Sequence, residues 1–177
     1  MAEKGRFWSG GSLEPKRSFR WFASFGEGQN TISTYALRSF QKPSFEVAVA
    51  EYLLINDVNY HPGVLSWNPI EITITDIEAG KENNSKKLFK MMRKAGYSST
   101  KTSGPQSALE KKKMVSQLGG DLYFNQIDAA GKVMEKWKIV NPFITNINFG
   151  QGNYSIEEIM TISMTIRYDY AEWSEGS

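Results

Sequence analysis

From Met160 to Tyr170 the chain alternates without a fault over eleven residues. Met160, Ile162, Met164, Ile166, Tyr168 and Tyr170 are apolar, and Thr161, Ser163, Thr165, Arg167 and Asp169 between them are polar. A period of two predicts an antiparallel strand with one face in a core and the other toward water. At ~3.4 Å per residue a single strand of this length would span about 35 Å. A second clean alternation sets Ile70, Ile72 and Ile74 against Glu71, Thr73 and Thr75. Phe19, Trp21, Ala23 and Phe25 alternate with Ser18, Arg20 and Ser24, broken only by Phe22, before a Gly26-Glu27-Gly28 turn. From Phe45 to Ile55 β-forming residues dominate. Asn56-Asp57 and His61-Pro62-Gly63 carry turn chemistry, the Pro-Gly pair suiting a type II turn.

The period then changes. Over 82–95, Leu88, Met92 and Ala95 recur at helical spacing, with Phe89 beside them, lysines elsewhere and Gly96 as the stop. Tyr97 to Gln106 reads as a Ser/Thr/Gly/Pro loop. A second short helix is predicted at about 107–118, ending at Gly119-Gly120. Strands resume at Leu122–Asp128 and Val133–Val140, joined by an Ala129-Ala130-Gly131 turn, and again at Phe143–Phe149 after Asn141-Pro142. The fold class predicted is mainly β, an antiparallel sandwich or partly open barrel. Residues 1–14 read as an N-terminal arm with Phe7-Trp8 as apolar anchors. Residues 15–177 read as one domain, with 81–118 a helical and loop insert.

Composition narrows the chemistry. The 177 residues include no Cys and one His, so thiol catalysis, a disulfide framework and a multi-His metal site are excluded. His61 would be the sole base for a Ser-His-Asp triad, and its turn setting favours a structural part. The Glu157-Glu158 and Asp121/Asp128 pairs and the Gly-Gly dipeptides lack the partners that acid–base or phosphate-loop chemistry needs. No enzyme and no cofactor are expected. The opening residues lead into no apolar run, so neither a signal peptide nor a membrane span is expected. The net charge of +2 hides an asymmetry: residues 81–113 hold ten basic side chains and two acids, a net of +8, leaving −6 elsewhere.

Several local signatures then converge. Pro15-Lys16-Arg17-Ser18-Phe19-Arg20-Trp21 is followed by Lys42-Pro43-Ser44-Phe45-Glu46-Val47, by His61-Pro62-Gly63, by Trp67-Asn68-Pro69-Ile70 and by Ala95-Gly96-Tyr97. Later come the run Lys136 to Ile144 (KWKIVNPFI), Asn148-Phe149-Gly150, Asn153-Tyr154-Ser155 and Ile166-Arg167-Tyr168-Asp169-Tyr170. In this order, from about Lys16 to Trp173, the chain resembles the tail tube proteins of contractile-tailed bacteriophages. These are similar in fold to the tubes of type VI secretion and of bacteriocins.

The resemblance implies a β-sandwich with a flanking helix. It implies hexameric rings whose inner sheets join into one barrel, stacked into a tube. The implied partners are further copies, a sheath protein, a tape-measure protein, and baseplate and tail-terminator proteins. Viral DNA passes through without specific binding, and no membrane partner is implied. The implied location is the virion tail, assembled in the host bacterial cytoplasm. Glu71, Thr73, Thr75, Thr161, Ser163 and Thr165 are then expected to include lumen-facing positions. Lys86, Lys87, Lys90, Lys111, Lys112, Lys113, Phe7 and Trp8 are expected at sheath or inter-ring contacts. The alternatives are a tube-initiator or terminator ring, the tube of a phage-derived injection machine, and a β-sandwich nucleic-acid-binding module using the +8 segment.

Overall fold

The computed structural model describes residues 16–25, 31–32, 34–77, 83–97, 109–155 and 157–176. Ten strands form two four-stranded antiparallel sheets and a separate hairpin. Sheet I has the order β1 (Trp21–Ser24), β6 (Leu122–Ile127), β7 (Val133–Val140), β10 (Tyr170–Glu175). Sheet II has the order β2 (Leu37–Phe40), β5 (Ile70–Thr75), β9 (Thr161–Arg167), β8 (Phe143–Asn148). The hairpin joins β3 (Phe45–Leu54) to β4 (Asp57–Trp67).

The two alternating stretches pair with each other. Ile70, Ile72 and Ile74 of β5 lie opposite Ile166, Met164 and Ile162 of β9, and all six are buried. Across the core from them sit Ala23, Leu122, Phe124 and Ile139 of sheet I. Phe40 of sheet II stacks on Phe124 of sheet I at 4.4 Å between ring centroids, with Trp21 edge-on to Phe40 at 4.5 Å. Such offset aromatic contacts add to simple area burial.

Two expectations are corrected. The eleven-residue alternation is not one strand: β9 ends at Arg167, the chain bends at Tyr168-Asp169, and β10 enters the other sheet. The neighbouring chain bends beside it, where β7 passes through Asn141-Pro142 into β8. Strands switch sheets in this way at the corner of a β-sandwich. Asn141 takes a positive φ of 52°, a conformation Asn tolerates better than most residues. The Asp169 N–H donates to the Val140 carbonyl at 3.1 Å, and Asn141 Nδ2 donates to the Asp169 carboxylate at 2.9 Å.

The second correction concerns His61-Pro62-Gly63, which is not a turn but the middle of β4. Pro62 pairs with Val49 beside a register shift, where a missing N–H is tolerated. A Cβ on Gly63 would stand 2.9 Å from the Ala48 carbonyl oxygen, so the close approach there requires glycine. The turn is Ile55-Asn56 instead.

Helix α1 (Asn84–Lys94) forms where the helical period was read. The Asn83 side chain caps it by accepting from the Lys86 N–H at 2.7 Å. Gly96, at φ 113°, ends it, and the Tyr97 N–H reaches back to the Met92 carbonyl. Asn84 Nδ2 donates to the Thr75 carbonyl and Ser85 Oγ to Asp76, tying α1 to the end of β5. The second helix, α2 (Lys111–Gln117), is shorter than read and stops before Gly119 and Gly120, both at positive φ. The predicted arm 1–14 and most of the loop 97–106 lie outside the described residues.

The two faces of β9 make opposite predictions. Ile162→Ala should lower the unfolding free energy by about 2–5 kcal/mol in chemical denaturation, the cost of emptying a packed site. Ser163→Ala, one residue on, should stay within about 0.5 kcal/mol.

Candidate functional site

Three surfaces stand out. The first is the outer face of sheet II. Glu71 lies opposite Thr165, Thr73 opposite Ser163 and Thr75 opposite Thr161. Ser39 of β2 faces Thr73, and Asn146 and Asn148 of β8 face Thr165 and Ser163. All six lumen candidates therefore share one face, half-buried or exposed, made of hydroxyls and amides with a single acid among the six. Thr145 Oγ1 donates to the Thr165 carbonyl at the register shift of β8. Among the described strands, β2 pairs only with β5 and β8 only with β9, so each end of this sheet has a free edge.

The second surface is the hairpin, whose residues 45–66 are all exposed. Cross-strand pairs set Phe45, Val47, Val49, Leu53, Val58, Tyr60, Leu65 and Trp67 on one face, with Glu51 among them opposite Tyr60. Leu53 and Val64 are more than 70% exposed and Ile55 at the tip is fully so. The hairpin holds Glu46, Glu51 and Asp57 and no Lys or Arg. A largely apolar exposed strip of this kind on a free chain marks an interaction site.

The hairpin's root is held twice. Phe45 packs on Trp67, and Trp67 on the buried ring of Tyr168. Below it, the Glu135 carboxylate of β7, with the residue 4% exposed, accepts hydrogen bonds from Lys42, Lys16 and Trp137 Nε1. Burial pushes the Glu135 pKa up, but these three donors outweigh it and hold the group at about 2. Burial raises the pKa of the Tyr168 hydroxyl. Sequence reasoning passed over Glu135. Its position between Met134 and Lys136 on a strand that half-buries Trp137 and buries Ile139 was the available signal.

The third surface is the basic segment. Lys86, Lys90, Arg93 and Lys94 of α1 and Lys111, Lys112 and Lys113 of α2 are exposed. Lys87 departs from the surface contact expected of it: it is buried, and its Nζ donates to the Thr31 carbonyl at 2.9 Å. Position 87 lies on the inward stripe of Asn84, Leu88, Met91 and Ala95, and that spacing foretells burial. Lys111 is paired with Asp169 at the sandwich corner, and Lys113 with Glu110. The hydrogen bond from Lys111 and then that from Asn141 lower the Asp169 pKa. Phe7 and Trp8 lie outside the described residues. No group of His, Cys, Asp or Glu suited to a metal ion exists among the described residues. No helix among them is long and apolar enough to cross a membrane.

No family model and no curated protein sequence matches this chain. Solved structures do. The sheath/tube terminator of an extracellular contractile injection system (PVC), in its extended state, superposes with a TM-score of 0.66 at 17% identity, covering 92% of this chain and 99% of that one. The tube-terminating cap of the anti-feeding prophage gives 0.65 at 14% identity, covering 92% and 93%. The PVC sheath–tube complex gives 0.60 at 16% identity, covering 93% and 94%. This chain has the fold of the tube and tube-terminator proteins of contractile injection systems.

Glu135 makes an acid-stability prediction. Its folded-state pKa is depressed, so its contribution is present above the unfolded value of about 4.5 and is lost as pH falls through about 2. Unfolding free energies measured against pH should show the wild-type advantage over Glu135→Gln shrinking across that window. A constant difference from pH 7 to pH 2 would contradict the assignment.

Proposed function

We propose that this chain is a structural tube subunit of a contractile phage tail. Its rings stack into the inner tube, the conduit for delivery and the core on which the sheath assembles. One observation carries the reading: sheet II has a core face, a polar face mainly of hydroxyls and amides with one acid, Glu71, and one base, Arg167 at the end of β9, and, among the described strands, two free edges. Joining the β2 edge of one copy to the β8 edge of the next is a head-to-tail contact, and such contacts close into rings when the rotation permits. Closure removes both free edges.

The polar face of the joined sheets then lines the bore, with Glu71, Thr73, Thr75, Thr161, Ser163 and Thr165 on it. A DNA passage should not bind its cargo, because each neutralised phosphate adds affinity and drag. Hydroxyls and amides meet that need, with Arg167 at the end of β9 balanced by Glu71 in the face's charge, and they equally suit a tape-measure protein that has to leave. The basic segment lies away from this face. Lys86, Lys90, Lys111, Lys112 and Lys113 serve contacts with the sheath or an adjacent ring, where charge sets register and on-rate. Sheath, baseplate and terminator proteins are the partners, and assembly takes place in the bacterial host. The likeness to two tube-terminating proteins supports a second reading, in which the chain forms a single capping ring.

Negative-stain images of the purified chain separate the two. Tubes of unlimited length are expected of a tube subunit, and a population stopping at one ring supports the terminator reading. Monomers at all salt concentrations and protein concentrations would overturn both. Reversing Lys112 and Lys113 to Glu should leave the fold intact and weaken sheath-dependent assembly most at low salt. Unchanged assembly across salt would remove these lysines from the contact.

A further inference from the structure

Tyr35 is 76% exposed although the turn that carries it is anchored on both sides. It sits in a 3-10 turn, Thr34–Ala36, directly before β2. Thr34 Oγ1 donates to the Ala23 carbonyl of β1 at 2.7 Å, and Ala36 and Leu37 are buried. The turn thereby bridges β1 of sheet I to β2 of sheet II. Tyr35 leaves the fold at the β2 edge, on the core side of sheet II.

At the other edge of sheet II an apolar groove of about 230 Å³ lies between α1 and β8. Phe89, Met92 and Tyr97 form one wall, and Ile144, Ile147 and Phe149 the other. Leu88 and Met91 of α1 belong to the core that the two sheets enclose, so this groove also lies on the core side of sheet II. Phe89 and Tyr97 stand edge to face at 5.9 Å, and both are nearly half exposed. Lys86 and Arg93 stand three residues before and four after Phe89, on the same helix face, and both are exposed. They put hydrogen-bond donors at the rim.

Strand direction relates the two features. β2 pairs antiparallel with β5, β5 with β9 and β9 with β8, so β8 runs opposite to β2. Leu37 at the start of β2 lies opposite Ile74, Thr75 lies opposite Thr161, and Ser163 lies opposite Asn148 at the end of β8. The start of β2 and the end of β8 therefore share one end of the sheet. In a ring with rotational symmetry every copy points the same way along the axis. The β8 edge of one copy then meets the β2 edge of the next antiparallel, and the neighbour's Tyr35 arrives beside Asn148 and Phe149. Edge, end and side of the sheet all agree.

We infer that the α1–β8 groove receives the Tyr35 ring of a second copy of this chain, the neighbour whose β2 edge joins this copy's β8 edge. The inference rests on the ring assembly proposed above. Tyrosine suits the groove: its ring packs on Phe89, Met92 and Phe149, and its hydroxyl meets the donors at the rim. Aromatic side chains seated in pockets carry a large share of interface energy. Seating one ring in one groove also fixes the register in which β2 meets β8, since a slipped pairing would leave both exposed.

Site-specific photocrosslinking tests it. Tyr35→p-benzoylphenylalanine replaces one aromatic ring with a reactive one. Should that variant fold poorly, Tyr35→Cys labelled with benzophenone maleimide carries the probe, and the chain's lack of cysteine makes the labelling specific. Light and ¹⁵N-labelled chains are mixed, assembled, irradiated and digested. The expected result is a crosslink from position 35 to peptides within 86–97 or 144–149, joining light to heavy chains. Tyr35→Ala should leave the unfolding temperature of the dissociated chain unchanged and raise the concentration at half-assembly at least about tenfold, while Tyr35→Phe stays within about threefold of wild type. Rings in which position 35 crosslinks elsewhere or to nothing, or a Tyr35→Ala chain that assembles at the wild-type concentration, would overturn the inference and leave the ring reading standing. Failure of the wild-type chain to form rings at all, seen by electron microscopy under the same conditions, would overturn both.

Discussion

An antiparallel sheet that does not close on itself ends in strands whose outward N–H and C=O groups lack partners, and a free chain must protect or pair them. Sheet II ends in β2 and β8, and neither edge is guarded by an inward charge or a covering strand among the described residues. The same chain extends a hairpin that, among the described residues, is exposed throughout beyond its root. Edge and hairpin are two forms of one unmet need, and the proposed ring would meet the first by joining further copies of the chain. The sandwich folds around its own core; the surfaces left over are those of a component.

The interior is arranged to keep that incomplete shape rigid. Phe40 on Phe124 locks the sheets together, and the paired bends at Asn141-Pro142 and Tyr168-Asp169 hold the corner. Asp169 joins that corner to α2 through Lys111, so the basic insert is tied to the sandwich. Glu135 and the Phe45–Trp67–Tyr168 cluster fix the direction in which the hairpin leaves. A preset hairpin loses less freedom on binding, and preorganisation of this kind raises affinity without adding contacts. The charge division is sharp: acids on the hairpin, bases on the helices, and on the polar face of sheet II one acid, Glu71, and one base, Arg167.

Much of the sandwich was legible in the sequence because burial alternates with period two along β5 and β9 and recurs with the helical period along α1. Where the reading failed, one residue pattern admitted two geometries. The alternation through Tyr168 continues unbroken because Tyr168 stays in the core while the chain crosses between sheets; burial alone does not say which strand is the neighbour. His61-Pro62-Gly63 has turn residues, yet Pro62 and Gly63 serve an irregular strand pairing for the same reasons they would serve a turn. Lys87 was counted with the surface lysines although its spacing places it among Leu88 and Met91. The hairpin's apolar face read as strand, and its exposure was invisible, since hydrophobic residues look alike whether they pack within one chain or between chains.

A cryo-electron microscopy reconstruction of the assembled protein addresses the edge constraint directly. Neighbouring copies should join β2 to β8 by main-chain hydrogen bonds, with Glu71, Thr73 and Ser163 facing the axis. A ring in which sheet I lines the bore, or in which β2 and β8 remain unpaired, would contradict it.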